Sequence, residues 1–403
     1  MKLCHVHKLS DIKINLVGEI VKLTEVKLKD ISKNNRGYYG IGASAVDYDE
    51  NKYTYLRITD INDDGTLNKT TLMSVNDKKA CDFLLKENDI VFARTGASAG
   101  RNYFYDGEIK NIVFAGFLIK FSLDKEKVNP RFIKYYCLSP KYKNWIVSSL
   151  TGSTRPNINE KQLSEMPIIL PEREYQNRGV KVLDAIIKKI ELNNQINDNL
   201  LEIGDTLYKE YFEKEKMPNE WEVCKLKDVA CNFDYKRKPM SSREREEHKG
   251  IYPYYGATSI IDYVDDYIFD GIYLLMGEDG TVVKSDGKPV LQYIWGKNWI
   301  NNHAHVLKGN KISTEHLMFC LRNCNVRDIV TGAVQPKINQ ENMNNIKIIS
   351  ADERTNNKFE KIIDSIMEQY KSNIEENQNL EQLRDTLLPK IMNGEIDLDK
   401  IEI

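Results

Sequence analysis

Residues 151–159 read TGSTRPNIN and residues 331–339 read TGAVQPKIN, so Thr, Gly, Pro, Ile and Asn recur at an offset of 180. The offset persists downstream. Leu183-Asp184 faces Ile363-Asp364, Asn199-Leu200 faces Asn379-Leu380, and Asp205-Thr206-Leu207 faces Asp385-Thr386-Leu387. Nothing is inserted or lost between 151 and 207. Helix imposes that constraint, because one extra residue rotates the apolar stripe beyond it by about 100°. A chain that repeats itself in this way is a tandem duplication and folds as two like units.

Upstream the register shifts. Lys8-Leu9-Ser10-Asp11-Ile12 resembles Lys225-Leu226-Lys227-Asp228-Val229 at an offset of 217. On that pairing the middles run 142 residues (Leu9 to Thr151) and 105 residues (Leu226 to Thr331), and they share little sequence. Each unit therefore has a matching start, a variable middle and a matching end.

The ends predict long helices, from about Glu172 to Glu213 and from about Asp352 to Asn393. Each would span roughly 60 Å at about 1.5 Å per residue. Ile186, Ile190, Ile196, Leu200, Ile203 and Leu207 form a stripe at helical spacing, matched by Ile366, Tyr370, Leu380, Leu383, Leu387 and Ile391. Neither stripe is buried alone, so the two helices are expected to pack as an antiparallel coiled coil. Asn193 and Asn373 stand where an apolar seam residue is due. In an antiparallel pair about a pseudo-twofold axis, equivalent residues meet at the centre, so these two asparagines are expected to approach one another.

The middles read as mixed α/β with short strands: YTYLRITDI (53–61), DIVFARTG (89–96), IVFAGFLIKFS (112–122), IYLLMG (272–277) and VLQYIWG (290–296). A helical stretch follows in each copy and runs into the repeated phrase. Gly152 and Gly332 suit a left-handed helix end, and Pro156 and Pro336 force extended chain after it. Thr151, Ser153 and Arg155 could also meet phosphate. The fold class expected is α+β: two mixed α/β domains separated by two long helices. The expected boundaries are 1–154 and 217–334 for the domains, with helical regions 155–216 and 335–403.

Charge separates the ends of the chain. Residues 1–150 hold 24 Lys and Arg against 18 Asp and Glu, whereas residues 331–403 hold 9 against 14. That gradient suggests different partners for different parts. No apolar run is long enough to span a membrane, and the N-terminus lacks a signal-peptide core, so a cytoplasmic location is expected. Seven scattered cysteines argue against a disulfide framework. Cys320 and Cys324, with His303, His305 and His316 nearby in sequence, match no common zinc spacing.

Catalytic signatures are missing. There is no phosphate-binding loop, no strand–GxGxxG–helix unit and no Asn/Asp-Pro-Pro-aromatic methyltransferase motif. Glu25-Val26-Lys27 and Glu108-Ile109-Lys110 are chance-level echoes of half a nuclease motif. No cofactor, metal or catalytic residue is expected. Loops rich in cations, amides and rings are present instead, and they suit phosphates and base edges. In the first copy these are 28–44, with Lys33, Asn35, Arg36 and Tyr38; Arg57 in the first strand; and 93–105, with Arg94, Ser98 and Arg101. In the second they supply Arg237, Lys238, Tyr255, Thr258, Asn302 and His303. Each alone reads more readily as a solvated hairpin turn or a charged face; together, in two domains, they point to binding.

The paired phrases, the start Trp221-Glu222-Val223-Cys224-Lys225-Leu226-Lys227-Asp228, YTYLRITDINDDG and the two helices at fixed offset resemble the DNA-specificity subunit of type I restriction–modification enzymes. The likeness covers the whole chain, with one departure: Cys4-His5-Val6-His7 stands where a Trp-led start is due. The resemblance implies two target recognition domains, each reading half of a split, asymmetric double-stranded DNA site, and paired helices as a spacer. It also implies docking of two modification (methyltransferase) subunits and of restriction (motor-nuclease) subunits, with no chemistry in this chain. Half-sites about one DNA turn apart, roughly 34 Å, would suit such a pair. A self-contained enzyme or a protein-bridging adaptor are the other readings. Methylation or cleavage by the purified chain would favour the former, and loss of DNA binding on replacing Arg94 and Arg101 would speak against the latter.

Overall fold

The computed structural model describes residues 21–150, 157–212, 217–332 and 334–401. Two compact units result, one of residues 1–190 with 377–403 and the other of residues 191–376.

In the first unit β1 (Leu23–Lys27) opens the described chain. Then come β2 (Tyr38–Tyr39), β3 (Ala45–Val46), β4 (Tyr53–Leu56), β5 (Met73–Val75), β6 (Asp89–Ala93), β7 (Asn102–Phe104), β8 (Ile112–Phe114) and β9 (Leu118–Ser122). Helices α1 (Pro130–Tyr136), α2 (Pro140–Leu150) and α3 (Glu160–Ser164) follow, then β10 (Pro167–Pro171) and the 39-residue α4 (Arg173–Tyr211). One sheet has the order β2-β9-β6-β7 and a second the order β3-β5-β4-β8, with β4 parallel to β8.

The second unit has β11 (Glu222–Lys225), β12 (Ala230–Asn232), α5 (Ser242–Glu247), β13 (Lys249–Tyr255), β14 (Ile260–Val264), β15 (Phe269–Asp270), β16 (Tyr273–Gly277), β17 (Leu291–Ile294), β18 (Lys297–Ile300) and β19 (Ala304–Gly309). Helices α6 (Thr314–Arg322) and α7 (Gln340–Asn344), strand β20 (Lys347–Ser350) and the 40-residue α8 (Glu353–Met392) complete it. Its sheets run β12-β19-β16-β17 and β14-β13-β18-β15, with β13 parallel to β18. The middles that share little sequence thus share one sheet order and three strands of the other (β5-β4-β8 and β14-β13-β18), while the fourth strand differs, β3 lying beside β5 in one unit and β15 beside β18 in the other.

The matching start lies elsewhere than expected. Residues 8–12 fall outside the described residues, and the structural counterpart of Lys225–Val229 is Lys27–Ile31. Lys27 pairs with Pro167 and Lys225 with Lys347. Leu28 N donates to Met166 O, and Leu226 N to Ile346 O. The Asp30 carboxylate accepts from Lys27 N at 3.0 Å, as Asp228 accepts from Lys225 N at 3.0 Å. The sequence at 27–31, KLKDI, is in fact the nearer match to KLKDV at 225–229. The true offset is 198, and the middles become 130 residues (Leu28 to Ile158) and 112 (Leu226 to Ile338).

The repeated phrase proves to be a three-part fastener. Ile158 and Ile338 are fully buried, each in its own unit's core. Asn159 and Asn339 cap the short helices α3 and α7, accepting from Gln162 N at 2.9 Å and Asn342 N at 2.7 Å. Asn157 bridges to Thr95 and Lys337 to Asp279, so the phrase also pins the loop that leaves the central strand. Gly332 has φ +86°, as a turn there requires. Thr151, Gly152, Ser153, Arg155 and Pro156 lie outside the described residues.

Both long helices form close to the expected bounds, and they pack antiparallel. In the first unit Leu183 and Ile186 of α4 share a core with Leu380, Leu387 and Ile391 of α8. In the second, Tyr208 of α4 packs with Phe359, Ile363 and Met367 of α8. Toward the middle the seam turns polar: Asn193, Asn197 and Asn373 are buried while Ile203 is half exposed. Asn373 does not pair with Asn193. Its Nδ2 donates to Asn197 Oδ1 at 2.8 Å, one helical turn away, while Asn193 Nδ2 donates to Glu376 Oε2 at 2.8 Å. Asn373→Ala leaves the Asn197 amide oxygen without this donor. The expected loss is about 1–3 kcal/mol in urea unfolding, and an unchanged midpoint would argue that the amides contribute nothing.

Two strands are shorter than the sequence suggests. YTYLRITDI is strand only to Leu56, then a turn of 3₁₀ helix at Ile58–Asp60. IVFAGFLIKFS is two strands, β8 and β9, broken at Gly116-Phe117. Among the described residues the cysteines are free thiols. No helix there is long and apolar enough to cross a membrane.

Candidate nucleic-acid interface

In each domain three segments frame the sheet that holds the central strand, the first along its edge and the last two at one end. The first is the excursion after the sheet's opening strand segment: a 3₁₀ turn at Lys33–Asn35 in one domain and at Asp234–Lys236 in the other. The second is the loop leaving the central strand, β6 or β16. The third is the turn entering the return strand, β9 or β19. Arg94 N donates to Phe117 O at 3.1 Å, joining the last two in the first domain, and Glu278 N donates to His303 O at 2.9 Å in the second.

In the first domain Asn34 and Asn35 adopt φ of +59° and +53°, a left-handed pair that asparagine tolerates better than branched residues. This turns Lys33, Asn35 and Arg36 outward, all exposed. Arg36 stacks on Tyr38 at 4.5 Å and Arg94 on Tyr39 at 5.1 Å. Neither arginine meets a carboxylate among the described residues. Tyr39 Oη accepts from Glu160 N, and Glu160 Oε1 accepts from Gly37 N at 2.8 Å, so α3 braces this strand. Ser98 lies in the short turn after Gly96, and Phe117 presents a ring that is 59% exposed. Tyr39 and Phe117 are missed by sequence reasoning. The signal for Phe117 was its Gly116 neighbour, which splits an otherwise apolar run.

Arg57 and Arg101 are each paired with a carboxylate of their own domain. Arg57 Nη2 lies 2.7 Å from Asp60 Oδ1 and its Nε donates to Oδ2 at 3.0 Å, and Asp60 is fully buried. Arg101 Nε lies 2.7 Å from Asp63 Oδ1, but Asp63 is 82% exposed, so that pair is weak.

In the second domain Arg237 is the hub. Its Nη1 lies 2.6 Å from Glu278 Oε2 and donates to Ala304 O at 2.7 Å. His305, fully buried, places Nδ1 2.6 Å from Asp234 Oδ2 and Nε2 2.8 Å from Ile338 O. Lys337 Nζ adds a contact to Glu278 at 3.2 Å. Burial is the largest single influence and raises the Asp234 and Glu278 carboxyls; the bonds from His305, Asn232 and Val306 N to Asp234, and those from Arg237 and Lys337 to Glu278 with the nearby positive charge, together outweigh it and hold both below their usual values. Asp234, Glu278 and His305 have the spacing of a metal trio. Arg237 and Lys337 already supply the positive charge, so the donor set does not fit an added cation.

Around this hub Lys238, Thr258, Asn302 and His303 are exposed. Trp299 Nε1 donates to Lys238 O at 2.6 Å, and Asn301 N to Tyr255 O at 3.1 Å, which draws Lys238, Tyr255 and Asn302 toward one surface. Burial pushes the Tyr255 hydroxyl up to about 12, so it remains a neutral donor. His303 Nδ1 lies 2.6 Å from Asp279 Oδ1. Thr258 lies in the β13–β14 turn.

Comparison with known proteins fits this duplicated geometry. The sequence model of the type I restriction modification DNA specificity domain matches residues 20–202 and again 218–384. A Haemophilus influenzae protein named as a type I restriction enzyme specificity subunit, S.HindORF215P, is 32% identical over 148 residues, 36% of this chain and 37% of its own length. That match spans well under half of the relative. The MjaIX specificity subunit of Methanocaldococcus jannaschii is 21% identical over 313 residues, covering 69% of this chain and 72% of that one. The crystal structure of a type I restriction-modification S subunit from M. genitalium has a like fold, with a TM-score of 0.55 at 18% identity over 93% of this chain and 97% of that one. The two matched segments are the two halves of the internal repeat, and on them the chain belongs to the type I restriction–modification DNA-specificity family, whose domain it carries twice.

Proposed function

We propose that this chain selects the DNA sequence for a type I restriction–modification complex and performs no chemistry itself. Residues 1–154 and 217–334 are the target recognition domains, each reading one half of an asymmetric bipartite site in double-stranded DNA. Regions 155–216 and 335–403 supply the paired helices. Two methyltransferase subunits and motor-nuclease subunits dock on the chain, in the cytoplasm, with no membrane partner and no cofactor of its own.

One observation carries the reading: two domains keep one fold and one fastener while their loops differ in sequence. That is what two readers of different sequences on a common frame require. Lys33, Asn35, Arg36, Tyr38, Arg94, Ser98 and Arg101 face DNA in the first domain, and Lys238, Tyr255, Thr258, Asn302 and His303 in the second. Arg57 and Arg237 act by holding these loops, since their guanidinium groups are committed to buried carboxylates. Partner subunits contribute phosphate neutralisation, so a chain of net charge −2 can still sit on DNA.

Mapping methylated bases across the host genome, with the gene intact and then deleted, tests this. The expected result is loss of one bipartite, asymmetric motif. An unchanged methylome, with the methyltransferase subunit shown to be expressed, would sink the reading.

A further inference from the structure

We propose that one backbone corner, present in both domains, reads bases with opposite chemistry: Arg94 addresses a guanine in one half-site, and Asp279 addresses the amino group of a cytosine or adenine in the other. This rests on the DNA-specificity reading above.

The corner is the same in both domains by backbone geometry. The central strand leads to Arg94-Thr95-Gly96 in one and Glu278-Asp279-Gly280 in the other, with Gly96 and Gly280 at φ +69° and +82°. The carbonyl of Arg94 accepts from Ile158 N at 2.9 Å, and that of Glu278 from Ile338 N at 2.9 Å. Thr95 bridges to Asn157, and Asp279 to Lys337. The turn opposite presents Phe117 in one domain and His303 in the other. The fastener phrase therefore holds both corners at the same height on the sheet, with different side chains.

Those side chains complement different base edges. Arg94 has no carboxylate partner among the described residues, and its Nε is buried with no hydrogen-bond partner there. Stacking on Tyr39 fixes the guanidinium plane. A planar, donor-only fork matches the N7 and O6 acceptors of guanine. In the second domain Glu278 is saturated by Arg237 and Lys337, which leaves Asp279 as the corner's carboxylate. Its side chain is 20% exposed, and His303 orients it. A carboxylate only accepts, and phosphates repel it. A favourable place for it against DNA is a base amino group, cytosine N4 or adenine N6.

The test is the methylome of the complete system carrying full-length variants. Arg94→Ala should relax one guanine position in one half of the motif by about tenfold or more and leave the other half intact. Asp279→Asn should relax one position in the other half only. Arg94→Lys keeps a point charge but loses the fork, so it should relax the same position as alanine. It also serves if the alanine variant fails to fold, which thermal melting of the purified chain reports. Wild-type preference retained in Arg94→Lys would show a phosphate contact and overturn the proposal. So would methylation that falls uniformly with the motif unchanged, or both substitutions altering one half. If the wild-type chain directs no bipartite motif, the DNA-specificity reading itself falls, and the inference with it.

Discussion

Arg57→Ala is expected to destabilise the first domain by about 3 kcal/mol, the low end of the 3–5 kcal/mol typical when one partner of a buried ion pair is removed. The low end applies because the Arg57 side chain is 29% exposed whereas its partner Asp60 is 0% exposed. After truncation the Asp60 carboxylate keeps only Arg57 N at 2.9 Å and the Thr71 hydroxyl at 3.1 Å, and its charge has no counterion. The Thr71 carbonyl, which accepts from Arg57 Nη2 at 2.6 Å, loses that donor as well. Urea unfolding of the purified chain measures the effect. A loss below about 1 kcal/mol would mean that the pair is an ordinary surface contact and that Asp60 hydrates freely. Replacing both partners with apolar residues of similar volume should recover much of the loss, because no charge is then left behind.

Arg237→Ala should cost the second domain about 3–5 kcal/mol, and here the full range applies. Arg237, Asp234 and Glu278 have side-chain exposures of 12%, 9% and 14%, so water replaces little of what is lost. The Ala304 carbonyl also loses its 2.7 Å donor. The same network sets an acid limit. Asp234 and Glu278 have folded-state values below their ordinary ones, so their contribution is present above the usual carboxylate range. It is lost as pH falls through the depressed folded values. The second domain should therefore melt progressively lower as pH drops below about 4, and in Arg237→Ala this slope should flatten. A melting temperature independent of pH in that window would contradict the network.

The two arginines also show what the sequence could and could not reveal. Arg57 lies in a stretch that reads as strand and Arg237 in a cationic loop, and as residue types they look no different from Arg36 or Arg94. Three-residue spacing to Asp60 and Asp234 was visible, but only the fold decides that those acids are buried. The helices were legible almost to the residue, because their period is local and their 180-residue offset never slips. The seam asparagines were legible as buried; their pairing one turn off-centre depends on axial stagger, which no local pattern encodes. The unit's start was misplaced because KLSDI at 8–12 precedes the better match KLKDI at 27–31, and the pairing of Lys27 with Pro167 settles which one is used. That the two middles are like mixed α/β domains was legible from the duplication, but the strand order they share was not, since it does not rest on shared residues. Equivalence of Arg94 with Glu278 is the sharpest case: a cation and an anion occupy one backbone position, and only the bond from the repeated isoleucine identifies them.

The central claim is that each domain reads one half of the target independently. The most direct measurement is the methylome of a host in which residues 1–150 of this chain are exchanged for the corresponding region of a relative with a different specificity. The account predicts that one half of the bipartite motif changes and the other half stays as it was. A motif altered in both halves, or in neither while methylation continues, would contradict it.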